Sequence, residues 1–248
     1  MPVCQHRLLA ARGKSLAAFD GRCIPGGCVA PPSNTPGILG RRALPAGRLA
    51  RLGATPDFHH GLLALQETPA PSEYRVGLDT TKGPIVIEVH REWAPHGADR
   101  FHELVTSGYF DDSRFFRVVK GQWAQFGING DPAIATRWRS RPIPDDPPKQ
   151  SNVRGTVTFA FAVPNGRTTQ IYIALTNLSN PQDAQGFVPF GRVVAGMDVA
   201  DALNSEYGEN AGSGIRAGKQ QPLFDGGNAY LDREYPRLDR ILHAKVIR

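Results

Sequence analysis

The chain has 248 residues, 40% of them hydrophobic and 21% charged, which is an ordinary composition for a globular domain with an appended segment. Most of its net charge of +6 lies in residues 1–70, where eight Lys or Arg stand against three Asp or Glu, leaving 21 against 20 for the remainder. The nearly neutral remainder offers no basic footprint for a nucleic acid, and no run approaches the 18 apolar residues of a membrane span.

Residues 1–72 are rich in Pro, Gly, Arg and Ala and show no sustained helical or alternating period, so we predict a flexible basic extension followed by one domain over residues 73–248. A disordered linker and an organellar or export targeting segment both remain open for the extension. Salt-sensitive binding of nucleic acid by the extension is a further hypothesis. All three cysteines, Cys4, Cys23 and Cys28, lie in it, and their spacing does not favour a zinc site.

Short apolar segments separated by turn residues predict strands along most of the domain. The strands are expected over residues 74–80 and 85–90, in two segments within 114–130 joined at Lys120 and Gly121, and over residues 155–162, 170–175, 188–194 and 241–247. The first two are separated by Lys82-Gly83-Pro84 and should form an antiparallel hairpin.

Two segments predict helices. Between residues 94 and 108, apolar residues recur at the spacing of one helical face: Ala98, Phe101, Leu104 and Val105. Residues 196–203 predict a second, short helix, whereas residues 131–152 and 208–235 read as irregular by composition. Many short strands with few helices indicate a mainly β domain, a closed or nearly closed antiparallel barrel.

Polar side chains interrupt the apolar strands at a few positions. Arg117, taken alone, is compatible with a solvent-facing edge strand, because arginine is rarely buried without a partner. Gln125, Gln170 and Tyr172 recur in similar apolar settings, and Tyr172 shares a strand face with Gln170. A cleft that combines these groups with Trp123 and Phe187 would suit an apolar ring attached to a peptide backbone, as in a proline-containing peptide.

Several common catalytic signatures are absent from the sequence, among them the P-loop, the His-Glu-x-x-His metal motif and the Gly-x-Ser-x-Gly nucleophile motif. The histidines near the first predicted helix, His90, His96 and His102, are scattered rather than spaced as metal ligands. We therefore expect neither a metal nor a nucleophilic mechanism.

From Tyr74 onward the chain resembles cyclophilin-type peptidyl-prolyl isomerases, and most closely a divergent cyclophilin-like group. The resemblance is carried by these segments: Phe115-Phe116-Arg117-Val118-Val119, Gln125-Phe126-Gly127, Pro164-Asn165, Thr168-Thr169-Gln170-Ile171-Tyr172-Ile173, Gln185-Gly186-Phe187-Val188-Pro189-Phe190-Gly191-Arg192-Val193, Gly97-Ala98-Asp99-Arg100-Phe101 and Gly227-Asn228-Ala229-Tyr230-Leu231. It implies a closed eight-stranded antiparallel barrel with two capping helices, a monomer acting on proline-containing peptides or unfolded proteins, and no cofactor.

The resemblance also implies roles for individual residues. Arg117 takes the place of the catalytic arginine, and Gln125 would hold the substrate backbone and orient that arginine. The expected substrate-binding residues are Gln122, Trp123, Ala160, Phe161, Gln170, Tyr172 and Phe187.

The expected pocket departs from the family pattern at several positions. The family usually has Pro-Gly-Phe-Met where this chain has Lys120-Gly121-Gln122-Trp123, and a backbone-binding asparagine where it has Phe161. Two functions are therefore carried forward: an active isomerase, and a cyclophilin-like module that binds proline-containing segments with little turnover.

Overall fold

A computed structural model of the chain describes residues 69–208 and 220–247. Residues 1–68 of the predicted extension, with all three cysteines, lie outside this range. The described chain is packed from near its start, since Ala70 is buried and its N–H donates to Asp99 Oδ1 at 2.9 Å.

The described residues contain eight strands and five helices. The strands are β1 (Glu73–Thr80), β2 (Gly83–His90), β3 (Arg117–Val119), β4 (Trp123–Phe126), β5 (Thr156–Phe159), β6 (Ile171–Ala174), β7 (Pro189–Ala195) and β8 (Ile241–Ile247). The helices are α1 (Pro95–Thr106), α2 (Pro132–Arg139), α3 (Ser179–Ala184), α4 (Met197–Asp201) and α5 (Gln221–Glu234).

All eight strands belong to one antiparallel sheet, in the order β3-β4-β6-β5-β7-β2-β1-β8. Among the described residues, its outer edges approach at one bridge, between Arg114 and Arg240, where Phe115 N–H donates to Asp239 O at 2.9 Å and Ile241 N–H to Ser113 O at 2.8 Å. The mainly β, eight-stranded prediction is confirmed. The prediction of a closed barrel is not confirmed, because the sheet curls as an open half-barrel. The three-residue strand β3 begins only after the bridge at Arg114, so it forms no ladder with β8.

The predicted hairpin is confirmed by the pairing of β1 with β2, in which Thr80 lies opposite Gly83. Alternate residues of both strands point into the core because successive side chains of a strand face opposite sides. The fully buried set includes Val76, Leu78, Ile85, Ile87 and Val89. Aromatic rings complete the core, with the Phe101 centroid 5.7 Å from that of Phe110 and 5.0 Å from that of Phe190.

Helix α1 is also where the apolar spacing placed it, and all four predicted core residues are buried. Pro95 opens the helix, where its missing N–H costs no hydrogen bond. Gly108 follows its end with a φ of +69°, and its N–H donates to Val105 O at 3.1 Å, as expected of a residue that ends a helix.

The interpretation of residues 131–152 and 208–235 as irregular was wrong in part, because they contain α2 and α5. Asp131 starts α2 by accepting the N–H of Ala133 at 2.7 Å. Gly227 interrupts α5 with a φ of +53°, where a Cβ would lie 2.1 Å from Gly130 O. The short predicted helix is confirmed as α4, but the described residues hold five helices instead of two.

Helices α2 and α5 pack together beside the sheet in a small apolar cluster separate from the main core. Its buried members are Phe116, Ile128, Ala135, Leu223, Phe224, Leu231 and Tyr235. This cluster sets the N-terminal end of α5 next to the polar face of β4 and β6, where Gln220 contacts Gln170.

Candidate active site

A cavity of about 610 Å³ opens where β3, β4 and β6 meet the ends of α2 and α5. It gathers eight of the nine predicted site residues: Arg117, Trp123, Gln125, Ala160, Phe161, Gln170, Tyr172 and Phe187. The structure adds lining residues that were not predicted: Arg139, Ala162, Gly166, Thr168, Gln182, Gln185, Gln220 and Phe224.

Gln122 is the predicted site residue that does not line the cavity. It is exposed, directly after the turn at Gly121, and its backbone pairs with Val119 and Leu175. Strand alternation explains its position, since Trp123 and Gln125 face the cavity and their neighbours in sequence face away. The geometry therefore gives Gln122 no contact with a ligand in the cavity.

Arg117, Gln125 and Tyr172 lie side by side across three strands. The sheet register pairs Arg117 with Gln125 and Gln125 with Tyr172. Arg117 Nη1 donates to Gln125 Oε1 at 3.0 Å, and Arg117 Cζ lies 4.9 Å from the centroid of the Trp123 ring. β3 is an edge strand, as the surface interpretation of Arg117 required, yet its half-buried arginine faces the cavity.

A chain of amide hydrogen bonds runs from Gln125 to the start of α5. Gln125 Nε2 donates to Gln170 Oε1 at 2.9 Å, and the amides of Gln170 and Gln220 donate to each other. Each amide is thereby held in one orientation, with Gln125 Oε1 turned toward Arg117. No sequence signal marked Gln220, because its segment reads as irregular.

Part of the cavity wall is aromatic. The Phe187 ring contacts Tyr172 edge-on at a centroid distance of 5.8 Å and Phe161 at 4.5 Å. Trp123 extends this wall, and its buried Nε1 has no hydrogen-bond partner among the described residues. An apolar ring could therefore pack against these aromatic side chains.

Tyr172 is fixed from behind by Asn152. Its hydroxyl donates to Asn152 Oδ1 at 2.7 Å, and Thr158 Oγ1 donates to the same oxygen at 2.9 Å. Asn152 Nδ2 in turn donates to Asp183 Oδ1 and to Phe187 O, each at 2.7 Å. Burial raises the pKa of the Tyr172 hydroxyl well above its usual range, so this group stays protonated.

Phe161 brings an aromatic ring, and no polar group, to its side of the cavity. Arg167 Cζ lies 4.2 Å from the Phe161 ring centroid. Arg167 is buried, forms an ion pair with Asp145 and donates to Gly186 O, and burial lowers its pKa. The Arg167 guanidinium therefore stabilises the loops behind the cavity through its contacts with Asp145 and Gly186.

Of the residues that sequence reasoning missed, those around α2 had a usable signal. Asp131 followed by Pro132 is a typical start of a helix, and it would have placed Arg139 on an ordered element. The remaining additions lie in loops, in α3 (Gln182) or in α5 (Phe224), and we find no sequence signal for them.

Metal and membrane features are not found in the part of the chain that the structure describes. No three His, Cys, Asp or Glu side chains come together there as a metal site would need. None of its helices has the length and apolarity required to cross a bilayer.

Comparison with known proteins identifies similar sequences. A family model described as "Cyclophilin type peptidyl-prolyl cis-trans isomerase/CLD" matches residues 75–222, more than half of the chain. "Peptidyl-prolyl cis-trans isomerase A" of Dickeya dadantii is 29% identical over 149 residues, covering 58% of this chain and 77% of the relative. "Peptidyl-prolyl cis-trans isomerase CYP18-2" of Arabidopsis thaliana is 31% identical over 149 residues, covering 57% and 87%.

A solved structure supports the fold. The crystal structure of a cyclophilin type peptidyl-prolyl cis-trans isomerase from Cryptosporidium parvum aligns with a TM-score of 0.50 at 17% sequence identity. The alignment covers 71% of this chain and 98% of that one. At this identity the likeness concerns the fold alone.

Proposed function

The chain belongs to the cyclophilin-type peptidyl-prolyl cis-trans isomerases, and we propose that Arg117, held by Gln125 on the floor of the cavity, is the centre of its isomerase activity. The observation that supports this proposal is the 3.0 Å hydrogen bond from Arg117 Nη1 to Gln125 Oε1 beside the aromatic side chains that line the same cavity. The proposal includes the domain organisation, an extension of residues 1–72 before a catalytic domain of residues 73–248.

The reaction needs no covalent intermediate. Rotation about a peptide bond crosses a barrier of roughly 18–20 kcal/mol because the C–N bond has partial double-bond character, and unaided X–Pro bonds isomerise in tens to hundreds of seconds. A catalyst accelerates the rotation by binding the twisted amide more tightly than either planar form. Fixed donors beside the amide are sufficient for this.

Arg117 supplies such a donor. Its guanidinium would hydrogen-bond the prolyl carbonyl and favour a pyramidal proline nitrogen, whose lone pair no longer conjugates with the amide. Gln125 fixes the direction of the guanidinium through the hydrogen bond at Nη1. Donors that are already oriented lower a barrier more than mobile ones, because they need no reorganisation during the reaction.

The rest of the cavity would bind the peptide. Trp123, Tyr172 and Phe187 would cover the proline ring, and removing apolar area from water stabilises a complex by about 25 cal/mol per Å². Gln125 and Gln170 offer amide groups to the peptide backbone. We expect the substrates to be proline-containing peptides or unfolded proteins, bound by a monomer without a cofactor or a nucleic-acid partner.

A second candidate function is peptide binding with little turnover, and the setting of Phe161 favours it. Phe161 packs on Phe187 and lies under Arg167, so this position presents no polar side chain to a substrate backbone. A peptide could then bind through the aromatic wall while its backbone is held less firmly in the twisted form.

A protease-coupled assay on an Ala-Pro peptide tests the proposal. We expect the full chain to accelerate isomerisation and Arg117→Ala to lose roughly 10²–10³-fold of that rate, the usual effect of removing one oriented donor. Arg192→Ala is the matched control, because Arg192 is also a strand arginine but is exposed and pairs with Glu88 outside the cavity. If the wild-type protein leaves the uncatalysed rate unchanged but still binds the peptide, the binding function replaces the enzymatic one.

A further inference from the structure

The cavity has a second end, away from the aromatic wall, where α2 and α5 meet. Arg139, Gln220 and Phe224 line it. The described lining residues include two arginines, Arg117 and Arg139, and no Asp or Glu. A ligand in the cavity therefore meets the positive charge of Arg139 at the end of the cavity formed by α2 and α5.

Arg139 is held in place although it is exposed. Its Cζ lies 4.2 Å from the centroid of the Phe224 ring, and Nη1 donates to Gln221 Oε1 at 3.1 Å. Gln221 Nε2 in turn donates to Asp225 Oδ1 at 2.7 Å. The stacking and the hydrogen bond fix the plane of the guanidinium, and they leave most of its five N–H donors available.

Two other arginines, which do not line the cavity, are paired with carboxylates. Arg141 pairs with Glu103, and Arg167 pairs with Asp145. Arg139 has no carboxylate within ion-pair distance among the described residues, and Asp225 is reached only through Gln221. A full positive charge therefore stands at the edge of the cavity without a neutralising partner from the described chain.

We propose that Arg139 forms a subsite for an acidic side chain of the bound peptide, so that a Glu or Asp near the proline is preferred over a neutral or basic residue. This proposal rests on the proposed function of the cavity as a site for proline-containing peptides. A carboxylate matches the planar fork of a guanidinium and can accept two of its N–H groups. Arg139 is thus a specificity-determining residue, separate from the group that drives bond rotation.

Peptides that differ at one residue test the subsite. A series carrying Glu, Gln or Lys at each of the three positions on either side of an Ala-Pro pair is compared by kcat/KM and, independently, by affinity in titration calorimetry. At one position we expect the Glu peptide to bind roughly two- to fivefold more tightly than the Gln peptide, which is the range of a partly exposed ion pair. The Lys peptide should bind more weakly than the Gln peptide at that position. The preference should shrink as salt is raised.

Three variants of α2 provide the matched comparison. Arg139→Glu should invert the preference between Glu and Lys peptides, and Arg139→Gln should abolish it. Arg137→Glu makes the same charge change on the same helix, but residue 137 lies about 200° around the helix from residue 139 and does not line the cavity. Arg137→Glu should retain the wild-type preference, and thermal melting confirms that each variant is folded.

The outcomes separate the subsite from the function on which it rests. Equal affinity for Glu and Gln peptides at all six positions, or a Glu preference that survives in Arg139→Glu, overturns the subsite. If none of the peptides is isomerised faster than without protein, the isomerase function is overturned. The calorimetric affinities then still decide whether Arg139 selects acidic residues.

Discussion

The side-chain amides of Gln170 and Gln220 donate to each other, from Gln170 Nε2 to Gln220 Oε1 at 2.8 Å and from Gln220 Nε2 to Gln170 Oε1 at 3.0 Å. Gln170 Oε1 also accepts from Gln125 Nε2 at 2.9 Å, and Gln125 Oε1 accepts from Arg117. The residue at the start of α5 is therefore connected to the proposed catalytic arginine through two intervening glutamines.

Replacing Gln220 should lower catalysis without removing any group that contacts the substrate at the proline. We expect Gln220→Ala to reduce kcat/KM on an Ala-Pro peptide by about fivefold, mainly through kcat, since a hydrogen bond of this kind is worth about 1 kcal/mol. The reason is that the Gln170 amide, freed on one side, holds Gln125 and Arg117 less firmly. Arg233→Ala, an exposed change on the same helix, is the control.

Stopped-flow measurement of kcat and KM for Gln220→Ala checks this effect. An unchanged kcat with a raised KM would show that Gln220 binds substrate directly and does not act through Gln170.

Trp123 should contribute to peptide affinity and should report peptide binding through its fluorescence. Trp123→Ala removes a wall of the cavity and the ring beside Arg117, and we expect peptide affinity to fall about tenfold, consistent with about 1–2 kcal/mol of apolar burial and cation–π attraction. Trp123→Phe should keep most of the affinity but lose the change in tryptophan emission on binding. Trp93, stacked on His90, and Trp138, beside Arg141, remain in both variants as internal references.

Tyr172→Phe should affect stability more than activity. The substitution keeps the ring that faces the cavity and removes the hydroxyl that donates to Asn152 Oδ1. We expect the free energy of unfolding to fall by about 1 kcal/mol, because Asn152 Oδ1 still accepts from Thr158. Urea unfolding measures the change, and a loss of more than tenfold in kcat/KM would instead assign the hydroxyl a direct part in the reaction.

Glu88 on β2 makes the domain less stable in acid. Hydrogen bonds from Arg75 and then from Arg192 lower the pKa of Glu88 from 4.5 to about 2, and His90 Nε2 lies 3.2 Å from its Oε1. A lowered pKa contributes stability that is fully present above pH ~4.5 and is lost as the pH falls toward 2. Both arginines are 55% exposed, so we expect only about 1 kcal/mol at pH 7.

Denaturant unfolding of Glu88→Gln and wild type at pH 7, 5 and 3 tests this dependence. The difference in free energy of unfolding between wild type and Glu88→Gln should become smaller from pH 5 to pH 3. The exposed Glu92→Gln, as the control, should unfold with the same free energy as wild type at each pH. If the stability difference between wild type and Glu88→Gln stays constant with pH, the lowered pKa of Glu88 is not the cause of the acid sensitivity.

Most of the sheet and half of the candidate site were predictable because their signals are local. A strand that buries one face repeats apolar residues at every second position, which revealed β1, β2 and the polar exceptions Arg117 and Gln125. The conformation of such a segment depends mainly on its own pattern, and family motifs then joined those exceptions to Gln170 and Tyr172.

The tertiary structure alone decided the other half. Prolines and glycines conceal α2 and α5 from a periodicity argument, and these helices are held by apolar contacts with each other. Gln220 reaches Gln170 across 50 residues, and Arg139 reaches Gln221 across 82, so no local pattern encodes either contact. By itself the sequence predicted the strands and the family, and it singled out Arg117 as the candidate catalytic arginine. Only the packing of distant segments decided which side chains surround that arginine, that Gln122 faces away, and that the outer strands approach without forming a continuous ladder.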